Sequence, residues 1–257
     1  MNAHAKTERS APDSHPAEPT RRQRALAWSV HCYTATGIPL AVGGALALVV
    51  GDAALFFVLN WIAIGVDATD GMLARRFRVK EVLPDFSGEK LDDLVDFLTF
   101  AFLPALALPT LDILPEDLAW LAVLPVMASS YGFSQVQAKT ADAFVGFPSY
   151  WNLLVFYLYT LTSPIWVTVT LLVVFSVLVF IPTYYIYPTR TQLLRRVTLT
   201  LGGIYGATLV LISSHLDAPW VTSAVWGSMS YVVYYFTLSA IHHRRITERN
   251  ADHIRPT

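Results

Sequence analysis

Hydrophobic residues run along this chain in long blocks rather than in narrow faces. A helix needs about 20 mostly apolar residues to cross a membrane. By that measure spans fall near 29–50, 53–75, 89–108, 118–137, 149–162, 164–185, 197–214 and 219–241. The block at 149–162 is short, so it is a tilted or half-inserted helix, or the 149–185 stretch divides differently. The pattern predicts an all-α, polytopic transmembrane helix bundle of about eight helices, with six as the fallback. Pro39, Pro104 and Pro109 are expected to bend or end helices. Residues 1–20, rich in Pro, Ser, His, Ala and charge, are expected to form a disordered tail. Residues 21–245 then make the transmembrane domain, and 246–257 a cytoplasmic C-terminal tail.

Composition sharpens that reading. The 257 residues are 54% hydrophobic and only 14% charged, with a mean hydropathy of +0.46. Soluble domains carry about 25% charged residues, so lipid is the expected solvent. A net charge of -1 offers no basic field, which excludes nucleic acid as a partner. The single Cys32 cannot form an internal disulfide and reads as a packing residue. The first apolar block is too long for a signal-peptide core and follows a polar stretch, so signal processing is not expected.

Charge sets the orientation, because cytoplasmic loops collect Lys and Arg. With the N-terminus inside and about eight crossings, all 18 Lys and Arg fall on inner segments, from Lys6 through Arg75, Lys90, Lys139, Arg190 and Arg195 to Arg255. The outer loops carry only acids: Asp112, Glu116, Asp117 and Asp217. Both termini are therefore expected in the cytoplasm, with an even number of crossings.

The stretch from Asp67 to Asp96, DATDGMLARRFRVKEVLPDFSGEKLDDLVD, holds the chemistry. Asp67 and Asp70 stand three apart near the inner end of the second span, followed by Gly71, Ala74 and Arg75. Gly88, Asp92 and Asp96 repeat at four-residue spacing where the third span begins. Positions three and four apart share a helix face, so two acidic stripes can meet. Clustered carboxylates at a membrane edge cannot all ionise without counter-charge. Divalent cations supply it, since carboxylate oxygens are the usual ligands of magnesium and manganese. A pair of such ions suits phosphoryl transfer. Gly71 and Ala74 leave room for a nucleotide, Arg75 can grip a phosphate in bidentate fashion, and a deeper carboxylate can take a hydroxyl proton. Asp93 and Glu89 lie off the stripe and read as solvated neighbours; Asp85 reads as a loop residue.

At these residues the sequence resembles the CDP-alcohol phosphotransferase family. Two Asp three apart, Gly after the second, Ala-Arg, then Gly, Asp and Asp at four-residue intervals are all present as Asp67, Asp70, Gly71, Ala74, Arg75, Gly88, Asp92 and Asp96. The resemblance implies that Asp67, Asp70 and Asp92 hold metal, and that Asp96 is the catalytic base and also touches the second of two Mn2+ or Mg2+ ions. It implies that Gly71, Ala74, Arg75 and Gly88 contact the CDP moiety. The gap RFRVKEVLPDFS, longer than in most of the family, resembles the bacterial phosphatidylcholine synthase branch. So do KLDDLVDFLTFAFLPALAL, HCYTATG in the first span and GFPSYWNLLVFYLY at 146–159. That branch implies CDP-diacylglycerol and choline as substrates, a multi-pass protein of the bacterial inner membrane, and a homodimer.

Choline carries a quaternary ammonium that donates no hydrogen bond, so aromatic faces are its usual recognition. Tyr150, Trp151, Tyr184 and Tyr187 sit at inner ends of spans, with Asn152 beside them, and are candidates for such a pocket. Aromatic belts also mark every membrane interface, so the interfacial reading stands beside it. Thr34 and His31 in the first span could reach the nucleotide, or pack helices. His242 and His243 read as solvated. Two other functions stay open: another acceptor, such as serine or glycerol 3-phosphate, and a cation-coupled transporter using the aspartates as ion sites.

Overall fold

The computed structural model describes residues 18–254. The chain is mostly helical. Helix α1 (Arg21–Ala35) opens with a capping box, in which the Thr20 hydroxyl accepts from the Gln23 amide and the Gln23 side chain accepts from the Thr20 amide. At Thr36 the chain breaks and α2 (Gly37–Val49) continues. Pro39 lies in the first turn of α2, where its missing amide hydrogen leaves no bond unmade. The first apolar block is thus two helices, beginning eight residues earlier than hydropathy alone suggests, because Arg21, Arg22 and Arg24 are helical rather than leading in.

Helix α3 (Ala53–Arg76) coincides with the second block; Asp52 caps it by accepting from the Leu55 amide. After the single-turn α4 (Val79–Val82), α5 (Gly88–Asp96) runs into a π-helical turn at Phe97–Phe102 and on into α6 (Leu103–Thr110). A 3₁₀ segment at Glu116–Ala122 leads into α7 (Val123–Ser134). Helices α8 (Trp151–Thr160) and α9 (Ile165–Phe180) follow, then α10 (Arg195–Ser213) and the long α11 (Val221–Ile254). Ten residues of α8 rise only about 15 Å, about half a bilayer core. Among the described residues three helical stretches, Arg21–Val49, Ala53–Arg76 and Arg195–Ser213, are long and apolar enough to cross a membrane.

Two short strands depart from the all-α expectation. Strand β1 (Ala143–Val145) pairs antiparallel with β2 (Tyr184–Ile186). Pro182 stops α9, and the Tyr-Tyr-Ile that follows suits an extended backbone. The block read as ending at 185 therefore ends at Phe180, and Tyr184 and Tyr187 are not on a helix end. At the other terminus the expected tail is helical as far as Ile254. The expected disordered segment lies outside the described residues up to residue 17.

The core is aromatic and joins early helices to late ones. Phe57 meets Phe156 edge to face at 5.3 Å, and Trp61 does the same at 5.3 Å. Several polar side chains inside it pair across helices. Trp61 Nε1 donates to Ser213 Oγ at 2.8 Å, tying α3 to α10. The Tyr157 hydroxyl lies 2.8 Å from Ser228 Oγ and 3.1 Å from the Tyr205 hydroxyl, tying α8, α11 and α10. Asn60 Nδ2 donates to the Thr99 carbonyl at 3.2 Å, inside the π turn. Outward faces carry Leu46, Trp166, Ile204 and Trp226, each more than half exposed, as a lipid-facing surface requires.

Candidate active site

Helices α3 and α5 bring the motif aspartates together. One carboxylate oxygen each from Asp67, Asp70 and Asp92 lies within 4.8 Å of the other two. Asp96 is buried one turn further along α5 than Asp92, on the same face. The π turn begins immediately after Asp96. Turns of this kind locally reset which residues face inward, and are frequent at functional sites. A cluster of oxygen donors this tight is the donor set hard divalent cations take, so the residues fit the metal expected of them.

Neighbouring elements hold these carboxylates. Helix α1 is braced on α3 by two side-chain bonds: Tyr33 to Thr69 at 2.8 Å, and Thr34 Oγ1, which donates to Asp70 Oδ2 at 2.8 Å. Thr34, expected to reach the nucleotide, is thus committed to Asp70, and both are buried. Gly88, likewise expected at the nucleotide, is pressed against His31: a Cβ there would sit 2.6 Å from His31 Cε1. Gly37 lets α2 approach α5 in the same way, a Cβ there running into Val95 Cγ1. His31 is buried, ring to ring with Phe86 at 4.5 Å, and its Nε2 has no hydrogen-bond partner among the described residues. Arg75 folds back over Gly71, its Nη1 3.4 Å from where a Cβ would stand. Ala74 packs toward Ala27, Val30 and Val79.

Sequence reasoning missed Lys139. Its Nζ donates to Asp93 Oδ1 at 3.1 Å and lies 3.6 Å from Asp92 Oδ2 and 3.9 Å from Asp96 Oδ2. Burial works to lower the pKa of this ammonium, but Asp92, Asp96 and Asp93 outweigh it and hold the group above the ordinary lysine range. Asp93 is therefore not a solvated neighbour. A signal was present: Lys139 is the sole Lys or Arg between Lys90 and Arg190.

Lys139 arrives on a hairpin built from the far half of the chain. It bridges Phe144; Val145 N donates to Ala138 O at 2.9 Å, and Thr140 N to Ala143 O at 2.8 Å. Strand β2 carries the hairpin, and α11 holds β2. Ile186 N donates to Ser239 Oγ at 3.2 Å, Tyr235 OH to Ile186 O at 3.2 Å and Tyr184 N to His243 Nδ1 at 3.1 Å. His242 is buried, with Nε2 3.7 Å from Asp142 Oδ2. Both histidines, expected to be solvated, are part of this seam.

The aromatic candidates divide. Trp151 is wholly buried, and its Nε1 donates to Ser129 Oγ at 2.7 Å, which takes its ring out of a ligand's reach. The Tyr184 ring faces His243 at 5.7 Å. The Tyr187 ring stacks on Phe144 at 4.4 Å; burial raises the pKa of its phenol, Arg190 and Lys139 pull it down, and Asp67 and Asp92 push it up. The Arg190 guanidinium stacks over its ring at 4.7 Å. Tyr150 meets Tyr235 of α11 at 5.8 Å, a neighbour the sequence reading did not pick out. Asn152 is buried, its Oδ1 accepting from the Leu153 amide and its Nδ2 unpartnered among the described residues.

A mostly helical chain with membrane-length apolar helices and a buried nest of carboxylates defines an integral membrane protein built around an acidic, metal-type centre. No known family profile matches it, but curated relatives do. A phosphatidylcholine synthase of Legionella pneumophila is 34% identical over 251 residues, covering 91% of this chain and 97% of the relative. One from Bradyrhizobium diazoefficiens is 37% identical over 233 residues, 86% of each chain. One from Pseudomonas aeruginosa is 33% identical over 214 residues, 82% of this chain and 90% of the relative. The chain belongs to the phosphatidylcholine synthase family.

Proposed function

We propose that this enzyme transfers the phosphatidyl group of CDP-diacylglycerol to choline, giving phosphatidylcholine and CMP. The convergence of Asp67, Asp70, Asp92 and Asp96 from α3 and α5, in a chain related over most of its length to phosphatidylcholine synthases, carries the reading.

Asp67, Asp70 and Asp92 would hold divalent ions, with Asp96 reaching the second of two. Bound there, Mn2+ or Mg2+ would supply positive charge to offset that of the departing nucleotide. Arg75, beside Gly71, pairs with a phosphate, and the small Gly71 leaves that helix face open to the nucleotide. Asp96 accepts the choline hydroxyl proton. The choline oxygen then forms a bond to the β-phosphorus, the bond from that phosphorus to the CMP oxygen breaks, and CMP leaves with the electron pair. Tyr150, and the Tyr187 face over which the Arg190 guanidinium stacks, would supply aromatic faces for the trimethylammonium group, which would displace that guanidinium. Trp151 supports them from the core, and Asn152 sits behind.

The chain is placed in the bacterial inner membrane with about eight crossings, both termini and the active site on the cytoplasmic side, where all the Lys and Arg collect. A homodimer goes with this reading. Purified protein given CDP-diacylglycerol and labelled choline with manganese should form labelled phosphatidylcholine. Chelator and Asp96→Asn should each abolish it. CMP release with serine or glycerol 3-phosphate but not choline would overturn the acceptor. No CMP release with any alcohol would favour a transporter.

A further inference from the structure

We infer that Asp93, which lies off the metal-binding face, is a positioning residue whose task is to hold the Lys139 ammonium out of hydrogen-bonding contact with Asp92 and Asp96. The inference rests on the proposal that those two carboxylates serve divalent ions.

The geometry is that of one cation shared unequally by three acids. Only the Asp93 contact, at 3.1 Å, is a hydrogen bond; Asp92 and Asp96 stand at 3.6 and 3.9 Å. The Lys139 backbone is pinned in its hairpin by the Phe144 bridge and the bonds on either side. The side chain can swing, and which acid it bonds decides where its charge rests. An ammonium bonded to Asp92 or Asp96 would occupy oxygens that a divalent ion needs and would repel that ion. Formal charges agree: five carboxylates, Asp67, Asp70, Asp92, Asp93 and Asp96, are balanced by two divalent ions and one ammonium. Asp93 gives Lys139 a partner of its own and leaves four carboxylates for the metals.

The test is Mn2+ binding, read as free Mn2+ by electron paramagnetic resonance on purified full-length protein in detergent. Asp93→Asn should weaken Mn2+ binding about tenfold although it removes no metal ligand, because the freed ammonium closes on Asp92 and Asp96. Lys139→Met should bind Mn2+ at least as tightly as wild type, and the double variant should return to within about threefold of it. Were the pair merely structural glue, both single variants would bind weakly and the double would be no better. Unchanged binding in Asp93→Asn would overturn the inference. Should that variant not fold, Lys139→Met decides alone: binding more than about threefold weaker overturns it. Wild-type binding that Asp70→Asn abolishes keeps the metal reading whatever Asp93 does. Wild type that binds no Mn2+ removes both.

Discussion

Thr34 on α1 donates a hydrogen bond of 2.8 Å to Asp70 on α3, and both side chains are buried. The first helix thus sets the orientation of a carboxylate thirty-six residues away. A hydrogen bond to a charged group contributes about 1.5–3 kcal/mol. Thr34→Val keeps the shape and deletes the donor. It should raise the manganese concentration for half-maximal activity by about tenfold or more, while Thr34→Ser stays near wild type. A metal titration of turnover checks this; a change confined to the KM for CDP-diacylglycerol would return Thr34 to the nucleotide.

Gly88 is a matter of space. A methyl group there would meet His31 Cε1 at 2.6 Å. Overpacking of this kind costs about 1–3 kcal/mol. Gly88→Ala should lower thermal stability in detergent and activity together, and Gly88→Ala with His31→Ala should recover much of the stability. Failure of the second change to restore stability would show that the glycine serves something other than the histidine.

Aromatic residues should separate by assay. Tyr187→Ala is expected to raise the KM for choline by about twofold to thirtyfold, the range of a cation–π contact of about 0.5–2 kcal/mol, with the KM for CDP-diacylglycerol little changed. Trp151→Phe deletes the bond to Ser129 and should cost about 1 kcal/mol of stability. It should leave the KM for choline alone.

Arg75 offers a contrast with Lys139. Arg75→Lys keeps the charge but loses the planar fork, so it should raise the KM for CDP-diacylglycerol about tenfold or more. Manganese binding without substrate should not move. Product formation across a CDP-diacylglycerol titration, beside the Mn2+ measurement, checks both halves.

Much of this was legible before any coordinates. The spacing of Asp67, Asp70, Gly88, Asp92 and Asp96 is local, and helical periodicity alone puts such residues on common faces. Apolar blocks located the helices because a bilayer rewards length and composition. Contacts made at long range were not legible. Thr34 could have faced a nucleotide or a neighbour, and only packing of α1 on α3 decides. Trp151 has the composition of an interfacial anchor, yet α8 turns it inward onto Ser129. The β1–β2 pairing joins residues 39 to 43 apart, as in Ala143 with Ile186, and no local pattern announces it. Lys139 followed from that pairing and was hidden with it.

The same pairing joins the two ends of the chain's chemistry. Ser239 and Tyr235, midway along α11, grip Ile186; Ile186 pairs with Ala143; and Lys139, on the same hairpin, reaches acids near the start of the third apolar block. The last helix therefore works as a buckle for a site it does not enter. During synthesis the aspartates emerge early, but the cation that belongs with them is fastened in place only after the final helix is made, so a chain cut short before Ser239 would hold its full complement of carboxylates and still lack a finished site.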